Sequence, residues 1–412
     1  MADTPHPTYS ADIAIIGGGI AGLWLLNRLA SRGYNAVVLE KTALGSHQTV
    51  ASQGMIHGGI KYTLGGALTG ASEAIAEMPD HWRACLRGEG DVDLRGARVL
   101  SEHFYLWSSA GLGSRMGTFF ASKATRGRVD RVKSADLPAV LRDPAFRGSV
   151  YKLVDMVVDT PSLIRALAAN YPERLFRMDW QGANWQRDDD GGVALTLTGE
   201  DGRPFDLQAG AFVFAAGEGN EALLREVGCP APAMQRRPLQ QAMVRHRSEH
   251  RFYGHCLGTE ATPRLTISSH PLADGSQVWY LGGTLAEKGV DMSADQLIAA
   301  ARRELADLLP WLDLGSDAEW AALPVTRAEP RQRNFARPDE AFAKWAAGVD
   351  NVIAAWPTKL TLTPNLADRV EKLLRERRLE PSLAPAPALP LARPEPAATP
   401  WAKAFGVADA PA

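Results

Sequence analysis

The chain has 412 residues, 45% of them hydrophobic and 22% charged, with a formal net charge of −2. That length exceeds one simple core and suits two interleaved domains, and the composition is that of a soluble globular protein. Without a basic excess there is no sign of a bulk polyanion-binding surface, so no nucleic-acid partner is expected.

After a short polar lead, Ile13–Ile16 is a continuous apolar run of strand length. Glycines follow at once, then a helix, Leu23–Ser31, and a second strand, Tyr34–Glu40. This order makes a strand–helix–strand unit. A long loop rich in Ser, Thr, Gln and Gly covers 41–59, and a helix follows from Leu68 to Leu86. Leu68, Ile75, Met78, Trp82 and Leu86 form its apolar stripe, and Pro79 kinks it.

The middle of the chain alternates strand-like runs, Val99–Trp107, Val193–Leu197, Met243–Arg245 and Val278–Leu281, with turn signals such as Asp188–Gly192 and Asp274-Gly275. An antiparallel sheet inserted into the first domain fits that pattern. Ala211–Gly217 and Asn351–Trp356 return as strands. The latter enters a helix near Pro364 that ends in Arg375, Arg377 and Arg378, where basic residues suit the helix dipole. Beyond Glu380 Pro and Ala dominate, which reads as an extended or disordered tail that Trp401 and Phe405 can pin to the surface.

The expected fold is therefore α/β. A Rossmann-like domain is assembled from the discontinuous segments 11–80, 150–220 and 335–380, with a mixed-sheet substrate domain from 81–149 and 221–334, and a tail at 381–412. Cys85, Cys229 and Cys256 stand far apart in no CxxC spacing. That speaks against a metal site or a disulfide framework and fits a reducing cytoplasm. No leader pattern precedes the first strand, and no apolar run reaches the roughly 18 residues of a membrane span.

The chemistry begins at Gly17, Gly19 and Gly22, a G-x-G-x-x-G between strand and helix. The first glycine permits the turn, the second lets a pyrophosphate approach the backbone, and the third lets helix and strand pack closely. The helix N-terminus then offers N–H groups and a positive dipole end to the phosphates. Glu40 closes the second strand, where an acid can bind ribose hydroxyls and disfavour a 2′-phosphate. This fingerprint specifies a dinucleotide and fits FAD and NAD alike. A second glycine loop, Gly111–Gly117, has the wrong spacing for a further nucleotide site.

Ala51-Ser-Gln-Gly-Met-Ile-His-Gly-Gly-Ile-Lys-Tyr62 resembles an element of the FAD-dependent oxidoreductases of the D-amino-acid-oxidase superfamily. Within it, the branch of glycerol-3-phosphate dehydrogenase and L-2-hydroxyglutarate oxidase is the most similar in motifs. Ala211–Gly217, Tyr280–Thr284 and Trp356-Pro-Thr-Lys-Leu-Thr361 are similar to further family segments in family order, so the resemblance spans about 11–370. Trp356-Pro357 stands where the glycerol-3-phosphate enzymes carry two glycines, and their Arg-Pro element is replaced by Thr326-Arg327-Ala-Glu-Pro330-Arg331.

The resemblance implies FAD as cofactor and hydride transfer from a small anionic substrate, a 2-hydroxy acid or polyol phosphate, to flavin N5. It leaves the electron acceptor open between oxygen, quinone and a carrier. Gly17, Gly19, Gly22, Glu40, Lys41, Thr49, Ser52, Gln53, Gly54, Met178, Ala216, Gly217, Thr358, Leu360 and Thr361 are then the expected FAD contacts. The backbone N–H groups of Lys359–Thr361 and the helix entered near Pro364 are expected to face the flavin. His57 is a candidate proton acceptor, Lys359 a fixed positive charge, and Arg327, ahead of Arg331, a fork for the substrate anion.

Three rivals stand beside this reading: an amino-acid or secondary-amine oxidase on the same fold, a flavin-binding module acting through a protein partner, and a nicotinamide-dependent dehydrogenase. The basic cluster Arg126, Arg128, Arg131 and Lys133 reads first as a solvated loop, with peripheral contact to anionic lipid as the alternative.

Overall fold

Ile13–Ile16 and Ala36–Glu40 are buried throughout, which is why they read as continuous apolar runs rather than alternating ones. A computed structural model describes residues 6–59, 75–109, 129–260 and 262–410. In it the strands Thr8–Ile16 and Ala36–Glu40 pair in parallel, Ile13 beside Ala36 and Ile16 beside Leu39. On its other side Thr8–Ile16 pairs with Pro204–Phe214, whose last residues pair in turn with Val352–Trp356. Leu175–Arg177 adds a parallel strand beyond Glu40. Three distant stretches of chain thus build one parallel core, extended by the antiparallel strand Phe342–Trp345 and the strands Asn184–Arg187 and Val193–Thr198.

One face of this sheet is covered by three helices, Ile20–Ser31, Thr160–Asn170 and Thr363–Glu376, through Leu23, Leu26, Leu163, Leu167, Leu366 and Val370. The first helix starts at Ile20, earlier than the apolar stripe indicates, because Gly19 serves as its N-cap. Met78–Leu86 forms the described part of the helix expected from Leu68, and its Trp82 packs on Trp24 with ring centroids 4.7 Å apart. Beneath them Arg28 is buried among Asp91, Asp368 and Glu371, and Asp91 also receives His81 and the Cys85 thiol. His81, Cys85 and Asp91 stand close enough to hold an ion, but Asp91 is already paired with Arg28. Burial pushes the Cys85 thiol up to about 12, and the trio shares one hydrogen-bonded cluster with Arg28.

The second sheet runs Glu319–Pro330, Met234–His246, Gln277–Gly282, Leu265–Pro271, Gly254–Leu257, Phe104–Ser108, Ser149–Leu153 and Val129–Arg131. It is mixed, because Gly254–Leu257 and Phe104–Ser108 pair in parallel while the other described pairs are antiparallel. Its outer face packs Ala242, Val244, Ile267, Trp279 and Leu281 on Leu297, Ala301 and Leu305 of the helix Ala294–Leu308. The run Val99–Trp107 divides between two sheets. Val99–Ser101 joins Met156–Val158 and Met55–Ile56, while Phe104–Ser108 enters the large sheet. The Ser101 hydroxyl donates to the His103 carbonyl at 2.6 Å and fixes the turn between them.

The Pro/Ala-rich tail is extended, as its composition indicates, but it is placed against the protein rather than disordered. Leu44 exchanges backbone hydrogen bonds with Glu395 and Ala397, and Arg177 accepts Ala392 as a bridge partner. The Arg393 guanidinium donates to the carbonyls of Glu173 and Leu175 and lies over the Phe176 ring. The segment ends in a short helix, Pro400–Phe405, with Trp401 only 1% exposed. Proline suits this role: it keeps the strap extended without leaving N–H donors to satisfy.

Candidate active site

The glycine loop has the geometry its spacing requires. Gly17 has φ of 112°, and a Cβ there would lie 2.7 Å from the Ala216 Cα. A Cβ on Gly22 would run into the Gly17 carbonyl oxygen, so the helix can lie this close to the turn only with glycine. At Gly19 a Cβ would meet only the Thr49 hydroxyl, at 3.3 Å, so space is left at the helix entrance. Those are the features of a pyrophosphate cradle, and the residues fit a dinucleotide.

Glu40, 6% exposed, accepts from the Gly18 amide at 2.6 Å and from the Thr42 amide and hydroxyl at 2.8 and 2.9 Å. Its carboxylate therefore shapes the loop itself and keeps part of its acceptor capacity for a ribose hydroxyl. Met178 lies beside it, donating its amide to the Glu40 carbonyl at 2.9 Å, and is buried in the sheet core. Lys41 is exposed.

The loop 41–59 folds back over the glycine turn. The Thr49 hydroxyl accepts from the Ile20 amide at 3.1 Å, and the Gly45 amide donates to the Gly18 carbonyl at 2.8 Å. Gly54 has φ of 71°, and a Cβ there would strike the Val158 carbonyl oxygen. Ser52 and Thr160 bring their hydroxyls to 3.4 Å. Gln53 reaches across to the second sheet, donating to the Tyr280 carbonyl at 2.9 Å and the Ser268 hydroxyl at 3.3 Å. The Tyr280 hydroxyl returns the contact, donating to the Ala51 carbonyl at 2.7 Å. These bonds join the first domain to the second sheet.

From the other end of the sequence, the Thr361 hydroxyl donates to the His57 carbonyl at 3.2 Å. Residues some 300 positions apart are thereby neighbours, just before the helix Thr363–Glu376 with Pro364 in its first turn. Ala216 and Gly217 end their strand beside this point. Asn220 accepts from the Ala216 amide and donates to the Ala355 carbonyl, and the Trp356 indole donates to the Gly217 carbonyl at 3.0 Å. Trp356 thus does with a side chain what a glycine pair cannot: it pins the strand end.

Thr358 takes φ of 61°, unusual without glycine, and its hydroxyl donates to the Glu340 carbonyl. The tight turn engages the Lys359 amide, which donates to the Pro357 carbonyl at 2.7 Å. The Lys359 ammonium, 14% exposed, lies 3.5 Å from Asp339. Leu360 begins the short turn that carries Thr361, whose carbonyl accepts the Trp82 indole.

Arg327 lies in the strand Glu319–Pro330, directly opposite Arg237. Arg237 is held bidentately by the buried Glu329, at 2.6 and 2.8 Å. Arg327 has no such partner among the described residues, and its Nε is shut off from solvent. Burial, reinforced by the charge of Arg237, pulls its guanidinium down to about 10. Arg331 is exposed at the strand end. Arg131 and Lys133 are exposed as well, whereas Arg126, Arg128, the loop Gly111–Gly117 and the end of the His57 element at Tyr62 lie outside the described residues.

Asn220, Ser268 and Asp155, whose side chains tie these segments together, are not among the residues expected from the sequence, whereas Tyr280 opens one of the family-like segments. Asp155 accepts from the Gly58 amide at 2.9 Å. Nothing in their spacing marks them, because each acts across a long sequence separation.

A discontinuous Rossmann-like sheet, a glycine cradle with its acid, and a mixed sheet fastened to it through Gln53 and Tyr280 define a two-domain dinucleotide-dependent oxidoreductase. The sequence profile described as DAO, FAD dependent oxidoreductase, matches residues 12–355, and the chain belongs to that family. It is 50% identical over 398 residues to the probable FAD-dependent oxidoreductase PA4991 of Pseudomonas aeruginosa, covering 96% of this chain and 98% of that protein. The crystal structure of PA4991 superposes with a TM-score of 0.82 over 98% of this chain and all of that one, at 45% identity.

Glycine oxidase from Geobacillus kaustophilus shares the fold, with a TM-score of 0.62, 19% identity and coverage of 89% and 95%. Glycerol-3-phosphate dehydrogenase of Pseudomonas tolaasii matches at 41% identity over only 66 residues, 16% of this chain and 13% of that protein. The protein is thus an FAD-dependent oxidoreductase, and its sequence match to that glycerol-3-phosphate dehydrogenase is confined to a short segment. Among the described residues no helix is long and apolar enough to cross a membrane.

Proposed function

We propose that the enzyme oxidises a small anionic substrate, a 2-hydroxy acid or polyol phosphate, by hydride transfer to flavin N5 of bound FAD. The observation that carries the reading is Arg327. A half-buried guanidinium that feels Glu329 and Glu287 only at a distance and forms no ion pair of its own among the described residues is costly, and a carboxylate or phosphate supplies the bidentate partner it lacks. The neighbouring Arg237 cannot play that part, because Glu329 already neutralises it.

In this reading Gly17–Gly22 and Glu40 hold the pyrophosphate and ribose. Thr49, Ser52, Gln53 and Gly54 line the chain leading to the ring, with Gln53 at its ring end, and Ala216, Gly217 and Thr358–Thr361 close the other side. His57 takes the hydroxyl proton of the substrate, and Lys359 supplies fixed positive charge nearby. Support for bringing these two together is the Thr361–His57 hydrogen bond.

The test is anaerobic mixing of the FAD-loaded enzyme with 2-hydroxy acids, glycerol phosphate, amino acids and secondary amines, following bleaching of the flavin. Bleaching by hydroxy acids or glycerol phosphate is expected. Bleaching by amines alone refutes the proposed substrate class in favour of an amine oxidase. Within the responsive class, His57→Ala should slow bleaching while FAD stays bound, and an unchanged rate refutes the proton-transfer role.

A further inference from the structure

The end of the chain reaches the inner face of the substrate sheet. Trp401 sits among Met243, Val278, Leu272 and Tyr280, and its ring stacks on His270 with centroids 4.5 Å apart and 28° between planes. The indole is itself held: its N–H donates to Asp409 at 2.5 Å, and Thr399, which caps the terminal helix, donates to the same carboxylate. Leu272 and Asp409 form a strand bridge that ties the far end down.

From His270 the contacts continue inward. Its Nε2 is 3.0 Å from the Ser268 hydroxyl, and that hydroxyl accepts from the Gln53 amide at 3.3 Å. Trp401, His270, Ser268 and Tyr280 are at most 1% exposed, so water does not compete for these bonds. Burial keeps His270 neutral, pushing its pKa down to about 4. Its Nδ1 has no hydrogen-bond partner among the described residues. The tautomer with hydrogen on Nε2 is therefore favoured, since it spends the one N–H on Ser268 rather than stranding it.

Gln53 then has its amide nitrogen committed to Ser268 and to the Tyr280 carbonyl, and its oxygen side is turned toward Gly282. A Cβ on Gly282 would lie 3.0 Å from that oxygen, so the glycine preserves the room the amide occupies.

We propose that Trp401 of the C-terminal helix, acting through His270 and Ser268, positions the Gln53 amide against the bound flavin. Trp401, His270 and Ser268 are positioning residues, and Gln53 is the group that touches the cofactor. The inference rests on the placement of Gln53 at FAD proposed above. It gives the C-terminal strap a part in tuning the flavin, beyond its part in packing.

The test compares the flavin midpoint potential of Gln53→Ala, Ser268→Ala, Trp401→Ala, Trp401→Phe and the Gln53→Ala/Trp401→Ala double variant. Each protein is equilibrated with a redox dye of known potential at saturating FAD. Loss of one buried hydrogen bond should change the ratio of reduced to oxidised flavin about tenfold at a given dye poise. Gln53→Ala is expected to do so, with Ser268→Ala and Trp401→Ala moving the ratio in the same direction. Trp401→Phe, which preserves a stacking ring, should stay within about twofold of the parent. The double variant should match Gln53→Ala alone, as members of one chain are not additive.

A shifted ratio in Gln53→Ala with an unchanged one in Trp401→Ala and Ser268→Ala overturns the relay while leaving Gln53 at the flavin. Additive effects in the double variant do the same. No shift in Gln53→Ala overturns the placement of Gln53 and the relay with it. If Trp401→Ala does not fold, the Ser268→Ala result decides.

Discussion

Replacing Arg327 by Met separates a ligand-binding arginine from a structural one. The side chain is half-buried beside Arg237, has no ion-pair partner among the described residues, and has its guanidinium pulled from 12.5 to about 10. Converted at 1.36 kcal/mol per tenfold change in proton affinity, this depression bounds the cost of keeping the charge at about 3 kcal/mol. Partial exposure of the side chain screens it to about 1–2 kcal/mol. Methionine fills a similar length without a charge, so Arg327→Met should leave the ligand-free enzyme as stable as the parent or about 1 kcal/mol more stable.

The same change removes charged hydrogen bonds worth about 1.5–3 kcal/mol to a bound anion, a loss of roughly tenfold to a hundredfold in affinity. Urea denaturation followed by tryptophan fluorescence at saturating FAD measures the first quantity. Flavin difference spectra titrated with acetate and glycolate measure the second. The reasoning fails if Arg327→Met destabilises the protein by more than about 2 kcal/mol while anion affinity is unchanged.

Arg28→Met should act in the opposite way. It removes the central cation shared by half-buried Asp91, which keeps His81 and Cys85, and buried Glu371, which keeps the more exposed Arg32 and Arg375, so a loss of about 3 kcal/mol is expected in urea denaturation. Burial opposes ionisation of Asp91, but the hydrogen bond and charge of His81, the Cys85 thiol and Arg28 outweigh it and hold the carboxyl well below the usual range. Its stabilising contribution is therefore complete above an aspartate's unfolded value of about 3.9 and drains away as pH falls below it. Asp91→Asn should flatten that acid limb in a pH series of denaturation curves. Gly22→Ala, whose methyl meets the Gly17 carbonyl, should weaken FAD binding by at least about tenfold in a flavin fluorescence titration. Truncation after Glu380 uncovers the faces that bury Leu389, Leu391 and Trp401, at about 1.5–3 kcal/mol per side chain, and should lower the thermal midpoint of the FAD-loaded enzyme.

Local chemistry made the nucleotide half legible. A glycine turn, an apolar run of strand length and an acid at the strand end are all short-range demands of the backbone on its own residues. Gly17, Gly19, Gly22 and Glu40 could therefore be named from spacing, and the structure gives them that turn. The returning strands near Ala211 and Asn351 were readable for the same reason, since both are apolar runs buried on two sides of a parallel sheet.

What tertiary structure alone decided is pairing across distance. Nothing near Arg327 in sequence says that Arg237 claims the direct ion pair with Glu329 and leaves Arg327 without one among the described residues, because that depends on strand register. The split of Val99–Trp107 between two sheets turns on one side-chain bond at Ser101. A Pro/Ala tail has the composition of disorder because it buries little apolar surface of its own. Leu44, Arg177, Tyr280 and His270 supply the missing partners, and only the folded chain brings them to it.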